Sequence, residues 1–121
     1  MATSAAADPD CLFCKIIAGD LPSTKVYEDE EMLAFRDIAP VTPTHILLVP
    51  KQHISTISDA QPEHAALLGR MLLKASDIAH QEKIETSGFR LVINTGDDSG
   101  RTILHLHLHI LGGRPMRLAP G

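Results

Sequence analysis

The chain has no tryptophan, one tyrosine and three phenylalanines, too few flat rings for the stacking platform that binds single-stranded nucleic acid. Basic residues are in the minority too: eleven Lys and Arg stand against fifteen Asp and Glu, a formal net charge of −4. A protein that grips a phosphate backbone needs a basic stripe to release counterions, and this balance does not supply one. No apolar run approaches the roughly 20 residues of a membrane span. The opening "MATSAAADPD" has neither the basic nor the apolar segment of a secretory leader. The only two cysteines stand three positions apart, which is not the disulfide framework of a small secreted domain. These absences predict a cytoplasmic protein without nucleic-acid or membrane partners. A small phosphorylated ligand stays open to it, because backbone N–H groups and a few placed side chains hold one without a basic surface.

What is present suits one hydrophobic core: 121 residues, read as a flexible tail over 1–10 and a single domain over 11–121. "CLFCKIIA", residues 11–18, has apolar side chains at helical spacing and is closed by Gly19 and Pro22. Strands are predicted over 25–28 and 31–36 around an acidic turn, then over 44–49, stopped by Pro50. A long helix is expected from Pro62 to Lys83, with Leu68, Met71, Leu72, Ala75, Ile78 and Ala79 on one face. His64 and His80 lie on that helix without pattern and are expected to face solvent. Strands over 89–94 and 102–111 pair as an antiparallel hairpin across "TGDDSG", and 112–121 form an extended tail. Runs of strands with one covering helix make this an α+β protein with an antiparallel sheet.

"LHLHLHILGG", residues 104–113, carries His105, His107 and His109 at every second position. On a strand the three imidazoles share one face, about 6.6–6.8 Å apart, while Leu104, Leu106, Leu108 and Ile110 take the other and meet the core. The histidine face should open onto a cleft. Zinc holds imidazole nitrogens at about 2.0–2.1 Å, so opposed ligands lie only ~4 Å apart and three from one flat strand converge with difficulty. The alternative is a catalytic row, in which the central imidazole acts and its neighbours orient it or manage protons. Imidazole bonds readily to phosphorus if one ring nitrogen is free and the other is hydrogen-bonded. Asn94, Ser99, Thr102 and the N–H groups of Gly100 and Arg101, just ahead of the strand, are candidate donors to phosphoryl oxygens.

The segment "HLHLHILGG" resembles the signature of the histidine triad (HIT) family, and "CLFCKIIAGDLPSTKVYEDE", "LAFRDIAPVTPTHILLVPKQHIS" and "LVINTGDDSG" resemble the same family in the same order. The closing "GGRPMRLAPG" resembles its Hint-like branch, the nucleoside phosphoramidases. That resemblance implies the HIT fold: a five-stranded antiparallel sheet with one long helix and a short N-terminal helix, dimerising into a continuous ten-stranded sheet. It implies hydrolysis of purine nucleoside 5′-phosphoramidates or acyl-nucleotidylates through a nucleotidyl-histidine. His107 would be the nucleophile, with His109 and His45 contacting the reacting centre and Asn94 and Thr102 holding phosphate or leaving-group atoms. Asp37 would accept from the ribose hydroxyls. Phe13, Ile16, Leu21, Phe35 and Ile38 would enclose the base, and Ser99, Gly100 and Arg101 count among the nucleotide-binding residues on the phosphate side. Thr102 stands where many phosphoramidases have Ser, and Arg101 where Gln is frequent. A Fhit-like dinucleoside polyphosphate hydrolase and a nucleotide-binding regulatory module are the alternative functions.

Cys11 and Cys14 lie one helical turn apart, so both sulfurs can share one side. Such a pair could hold metal, cycle as a redox couple, or stay as two buried thiols. A closed structural zinc site needs two further ligands. Some HIT proteins have a Cys-x-x-Cys zinc site completed by two histidines, and the matching positions here are His53 and His105. In that arrangement the ring of His105 faces the metal and need not share the catalytic work.

Overall fold

The computed structural model describes residues 10–100 and 103–116. Cys11 caps the first helix, α1 (Leu12–Ala18), its Sγ accepting the Cys14 N–H at 3.2 Å. Gly19 ends that helix in the left-handed conformation (φ 87°), a cost that only glycine avoids, and its N–H returns to the Ile16 carbonyl. Strands β1 (Lys25–Glu28), β2 (Met32–Arg36) and β3 (Thr44–Pro50) follow. Two 3₁₀ turns, Ile57–Asp59 and Pro62–His64, then lead into α2 (Ala65–Gln81). Strand β4 (Phe89–Ile93), a 3₁₀ turn at Asp97–Ser99 and strand β5 (Leu108–Gly112) complete the order. All five strands pair antiparallel in the sequence β1-β2-β3-β5-β4, leaving β1 and β4 at the edges of the described sheet.

The sheet is covered on both faces, which is why β2 and β3 read as nearly unbroken apolar runs. Met32, Ala34, Ile46, Leu48, Leu108 and Ile110 point toward α2 and meet Leu67, Met71, Ala75, Ile78 and Ala79. Leu33, Phe35, Leu47 and Val49 point the other way, toward Phe13 and the two cysteines of α1. Burying each such side chain removes about 1.5–3 kcal/mol of apolar exposure. The pair Gly112–Gly113 is dictated by space: a Cβ on Gly112 would lie 2.6 Å from Ile84 Cδ1, and one on Gly113 (φ 99°) 2.8 Å from Pro43 Cβ.

Three expectations are corrected. The histidine run is not one strand over 102–111, because β5 starts at Leu108 and residues 103–107 lie outside the ladder. There the Leu106 N–H bonds to the Ile54 carbonyl (2.6 Å) instead of a strand partner, and the His105 ring is drawn to 0 % exposure against α1. Leu106 still reaches the α2 core, but Leu104 is 54 % exposed and does not. His64 is buried rather than solvent-facing. It ends a 3₁₀ turn, where its Nδ1 accepts the Gln61 N–H (2.8 Å) and its Nε2 meets the Gln52 amide (3.1 Å). His80 is exposed and pairs with Glu85. The long helix also starts later than the first-turn proline suggests, since Pro62 opens a separate 3₁₀ turn. Arg101, Thr102 and the last five residues of the extended tail lie outside the described residues.

Candidate functional site

The α1 face of the sheet carries two side-chain clusters with His107 between them. In the first, Cys11 lies at the helix start, Cys14 one turn on, His53 just after β3 and His105 ahead of β5. Four potential ligand atoms from these residues lie within 4.8 Å of one another. His105 Nδ1 is 3.2 Å from Cys11 Sγ and 3.5 Å from Cys14 Sγ, and His53 Nδ1 is 3.2 Å from Cys14 Sγ. A tetrahedral zinc with Zn–S near 2.3 Å and Zn–N near 2.0–2.1 Å requires S···N separations of about 3.6 Å. These three S···N separations therefore lie within a few tenths of an ångström of those in a zinc cage. The tautomer agrees, because His105 Nε2 sits 2.8 Å from the Pro50 carbonyl and must donate to it, which leaves the Nδ1 lone pair toward the sulfurs. Burial pushes the His105 pKa down to about 4, keeping the ring neutral as ligation requires.

The second cluster joins Asp37, beyond the end of β2, with His45 on β3 and His109 on β5. Antiparallel register sets His109 opposite Leu47, two residues from His45 and so on the same face. His45 Nε2 lies 2.9 Å from His109 Nδ1 and 3.4 Å from Asp37 Oδ2. The Val41 N–H donates to His45 Nδ1 at 3.1 Å, which forces the proton of a neutral ring onto Nε2. That proton occupies the lone pair a metal would need. In this arrangement the His45–His109 pair can hold and pass a proton. Burial lowers the pKa of both rings, that of His109 to about 4, while Asp37 pulls the other way on each.

His107 stands between the two. Its Nδ1 is 2.7 Å from the His105 carbonyl and must donate there, so Nε2 keeps an unshared pair. The Phe13 ring centroid lies 5.1 Å from that of His107 and 5.9 Å from that of His105, both pairs edge-on, and the His107–His109 centroids are 5.0 Å apart. A neutral imidazole with one nitrogen pinned and the other free is the form a nucleophile needs.

A cleft of about 490 Å³ reaches these rings through Phe13, which packs on His107, and Asp37, which meets His45; its lining is Phe13, Ile16, Leu21, Phe35, Asp37 and Ile38 as well as Leu12, Pro22, Ser23, Arg36, Leu47 and Ile103. All five residues expected around a base, and the expected ribose-binding acid, thus meet in one cavity of ligand size. Ile38 is 100 % exposed and forms an open wall. Asp37 Oδ1 accepts the Ala39 N–H at 2.8 Å, which fixes the carboxylate at the rim. Leu12, Leu47 and Ile103 escaped the sequence reading. Leu47 could have been found, since it is two residues from His45 on one strand and so shares its face.

On the other side of His45 and His109, a smaller cavity of about 210 Å³ is lined by Val41, Val92, Leu111 and Asn94. Asn94 Nδ2 donates to the Ser99 carbonyl (2.9 Å), tying it to the loop. The Ser99 hydroxyl and the Gly100 N–H are both used inside that loop, on the Gly96 and Asp97 carbonyls. The histidine face opens to a cleft only in part: His105 is sealed in the sulfur cluster, His107 is 7 % exposed and His109 is half-buried.

No helix among the described residues is long and apolar enough to cross a membrane. The chain is 47 % identical over 107 residues to the purine nucleoside phosphoramidase of Escherichia coli, covering 88 % of this chain and 90 % of that one. A HIT family hydrolase from Legionella pneumophila superposes with a TM-score of 0.91 at 47 % identity, over 93 % of this chain and all of that one. A zinc-bound histidine triad family protein from Mycobacterium smegmatis superposes with a TM-score of 0.75 at 32 % identity, over 93 % of this chain and 84 % of that one. The HIT domain family pattern matches residues 18–116. With that match and the antiparallel five-stranded fold, the chain belongs to the HIT domain family.

Proposed function

We propose that this HIT-family hydrolase cleaves the P–N bond of purine nucleoside 5′-phosphoramidates, or the acyl–phosphate bond of acyl-nucleotidylates, through a nucleotidyl-histidine on His107. One observation carries the reading: the His107 ring is pinned at Nδ1 by a carbonyl, with Nε2 unshared, beside a nucleotide-sized cleft. The nucleoside lies in that cleft, its base among Phe13, Ile16, Leu21, Phe35 and Ile38 and its ribose hydroxyls on Asp37. That the E. coli relative is a purine nucleoside phosphoramidase supports this choice of substrate.

In the first step Nε2 of His107 bonds to the α-phosphorus as the P–N bond breaks, and His107 keeps its Nδ1 proton against the His105 carbonyl. The leaving nitrogen takes a proton from the His45–His109 pair. Water then attacks the phosphorus, the N–P bond breaks, and the pair takes a proton back, so it ends the cycle as it began. The product is the nucleoside monophosphate, AMP when the base is adenine. Asn94, Ser99, Gly100, Arg101 and Thr102 are assigned to phosphoryl and leaving-group contacts, for which Ser99 and Gly100 would give up their bonds to the Gly96 and Asp97 carbonyls. Val41, Val92 and Leu111 beside His109 would admit an apolar leaving group.

Cys11, Cys14, His53 and His105 would hold a zinc ion. With four protein ligands and no open position it supplies a structural tie rather than a Lewis acid. Residues 11–121 are read as one cytoplasmic domain. The edge strand β4, with the apolar groove that Leu72, Met71 and Ile93 form beside it, supports a homodimer joined into ten strands. Light scattering tests the dimer. The function is tested by relative kcat/KM on adenosine phosphoramidate, acyl-adenylate and diadenosine polyphosphate at equal concentration: the first two should lead. A preference for the polyphosphate would place the chain with the Fhit-like hydrolases, and binding without turnover would make it a regulatory module.

A further inference from the structure

His107 owes its reactive form to a group that is held in place by the other cluster. The carbonyl that fixes its tautomer belongs to His105, and residues 103–107 lie outside the β-ladder, so no strand pairing holds that carbonyl in position. Its anchors are the His105 ring, which is tied at Nε2 to the Pro50 carbonyl and at Nδ1 to the Cys11 and Cys14 sulfurs, and the Leu106 N–H on the Ile54 carbonyl. Phe13, which lies between the two cysteines in sequence, presses edge-on against both imidazoles.

Resting on the assignment of His107 as nucleophile, we propose that His105 is a positioning residue: it converts closure of the Cys11–Cys14–His53 cluster into a fixed Nδ1–H tautomer, and hence a free Nε2, on His107. If the His105 backbone shifts by an ångström, the 2.7 Å bond is lost. The ring is then free to carry its proton on Nε2, the nitrogen that must attack. A ring with Nε2–H directed at phosphorus is inert in the first step. The cluster therefore governs turnover without touching the substrate, and its disassembly lowers kcat ahead of nucleotide affinity.

Histidine ¹⁵N NMR of the full chain tests this, comparing zinc-loaded protein, chelator-stripped protein, His53→Ala and His53→Cys. His53 touches Cys14 and His105 and does not line the cleft. Zinc-loaded protein should show one Nδ1–H tautomer for His107. Stripping, or His53→Ala, should mix the two tautomers and lower kcat by about 10–100-fold, the usual effect of losing an outer-shell tie. KM should stay within about two-fold. His53→Cys, which supplies a fourth ligand again, should restore both readouts. A single Nδ1–H tautomer in the stripped protein and in His53→Ala, even with lowered thermal stability, would overturn the proposal and leave the cluster a structural staple. The tautomer readout needs no turnover, so an active His107→Ala would remove the nucleophile assignment without bearing on it.

Discussion

The two clusters on the α1 face use the same side chain for opposite ends, and the difference lies in what holds the second ring nitrogen. Around Cys11 and Cys14, the Pro50 carbonyl accepts the Nε2–H of His105, which leaves the Nδ1 lone pair aimed at sulfur. At the Asp37–His45–His109 cluster, the Val41 N–H occupies the lone pair of His45 and pushes the proton to the inner side. A carbonyl behind a histidine makes a ligand, and an N–H behind it makes a proton donor. His107 follows the first pattern, and phosphorus is the partner proposed for its free nitrogen.

Substitutions can break this division of labour in graded ways. The largest effect is expected for His107→Ala, a loss of about 10⁴-fold or more in single-turnover rate with the fold intact by circular dichroism, since removing a nucleophile collapses the whole catalytic unit. His109→Ala should cost about 10²–10⁴-fold, as loss of a general acid does, and most for substrates with poor leaving groups. A flat dependence on leaving-group basicity in that variant would detach the pair from proton transfer. Cys14→Ser should reduce bound zinc, by elemental analysis, from about one equivalent to under about a tenth, because a closed site needs all four ligands. Wild-type protein with no zinc after mild purification would reject the site altogether. Asp37→Asn should raise KM about ten-fold with little change in kcat, the pattern of lost uniform binding.

The smallest effect is on stability against pH. An unfolded histidine protonates near pH 6.5, whereas burial holds His109 to about 4 in the fold. Between those values the unfolded chain binds more protons, so stability falls as pH is lowered through the window and is recovered as pH rises. The melting temperature should drop by a few degrees from pH 7 to pH 5, and His109→Gln should flatten that slope.

How far the sequence could be read depended on whether an interaction was local. Helix α1, its glycine stop and strands β1 to β4 follow from periodicity and caps, which are local. The run from Ile103 to His107 misled because strict alternation matches a strand, while the ring of His105 is claimed by cysteines more than ninety positions away. His64 misled for a similar reason: its Nε2 pairs with Gln52, on a segment that no helical pattern links to it. The cleft was legible where its residues adjoin motifs, as with Phe13, Phe35 and Asp37, and hidden at Ile103, which lies on a connection without regular structure.

The most direct measurement is rapid-quench intact-mass analysis of wild-type protein with an adenosine phosphoramidate, with the adduct located by peptide mapping. A transient adenylyl mass on His107, formed and lost at rates that match turnover, is the expected result. Product formation at full rate with no adduct, or with the adduct on another residue, would contradict the central claim.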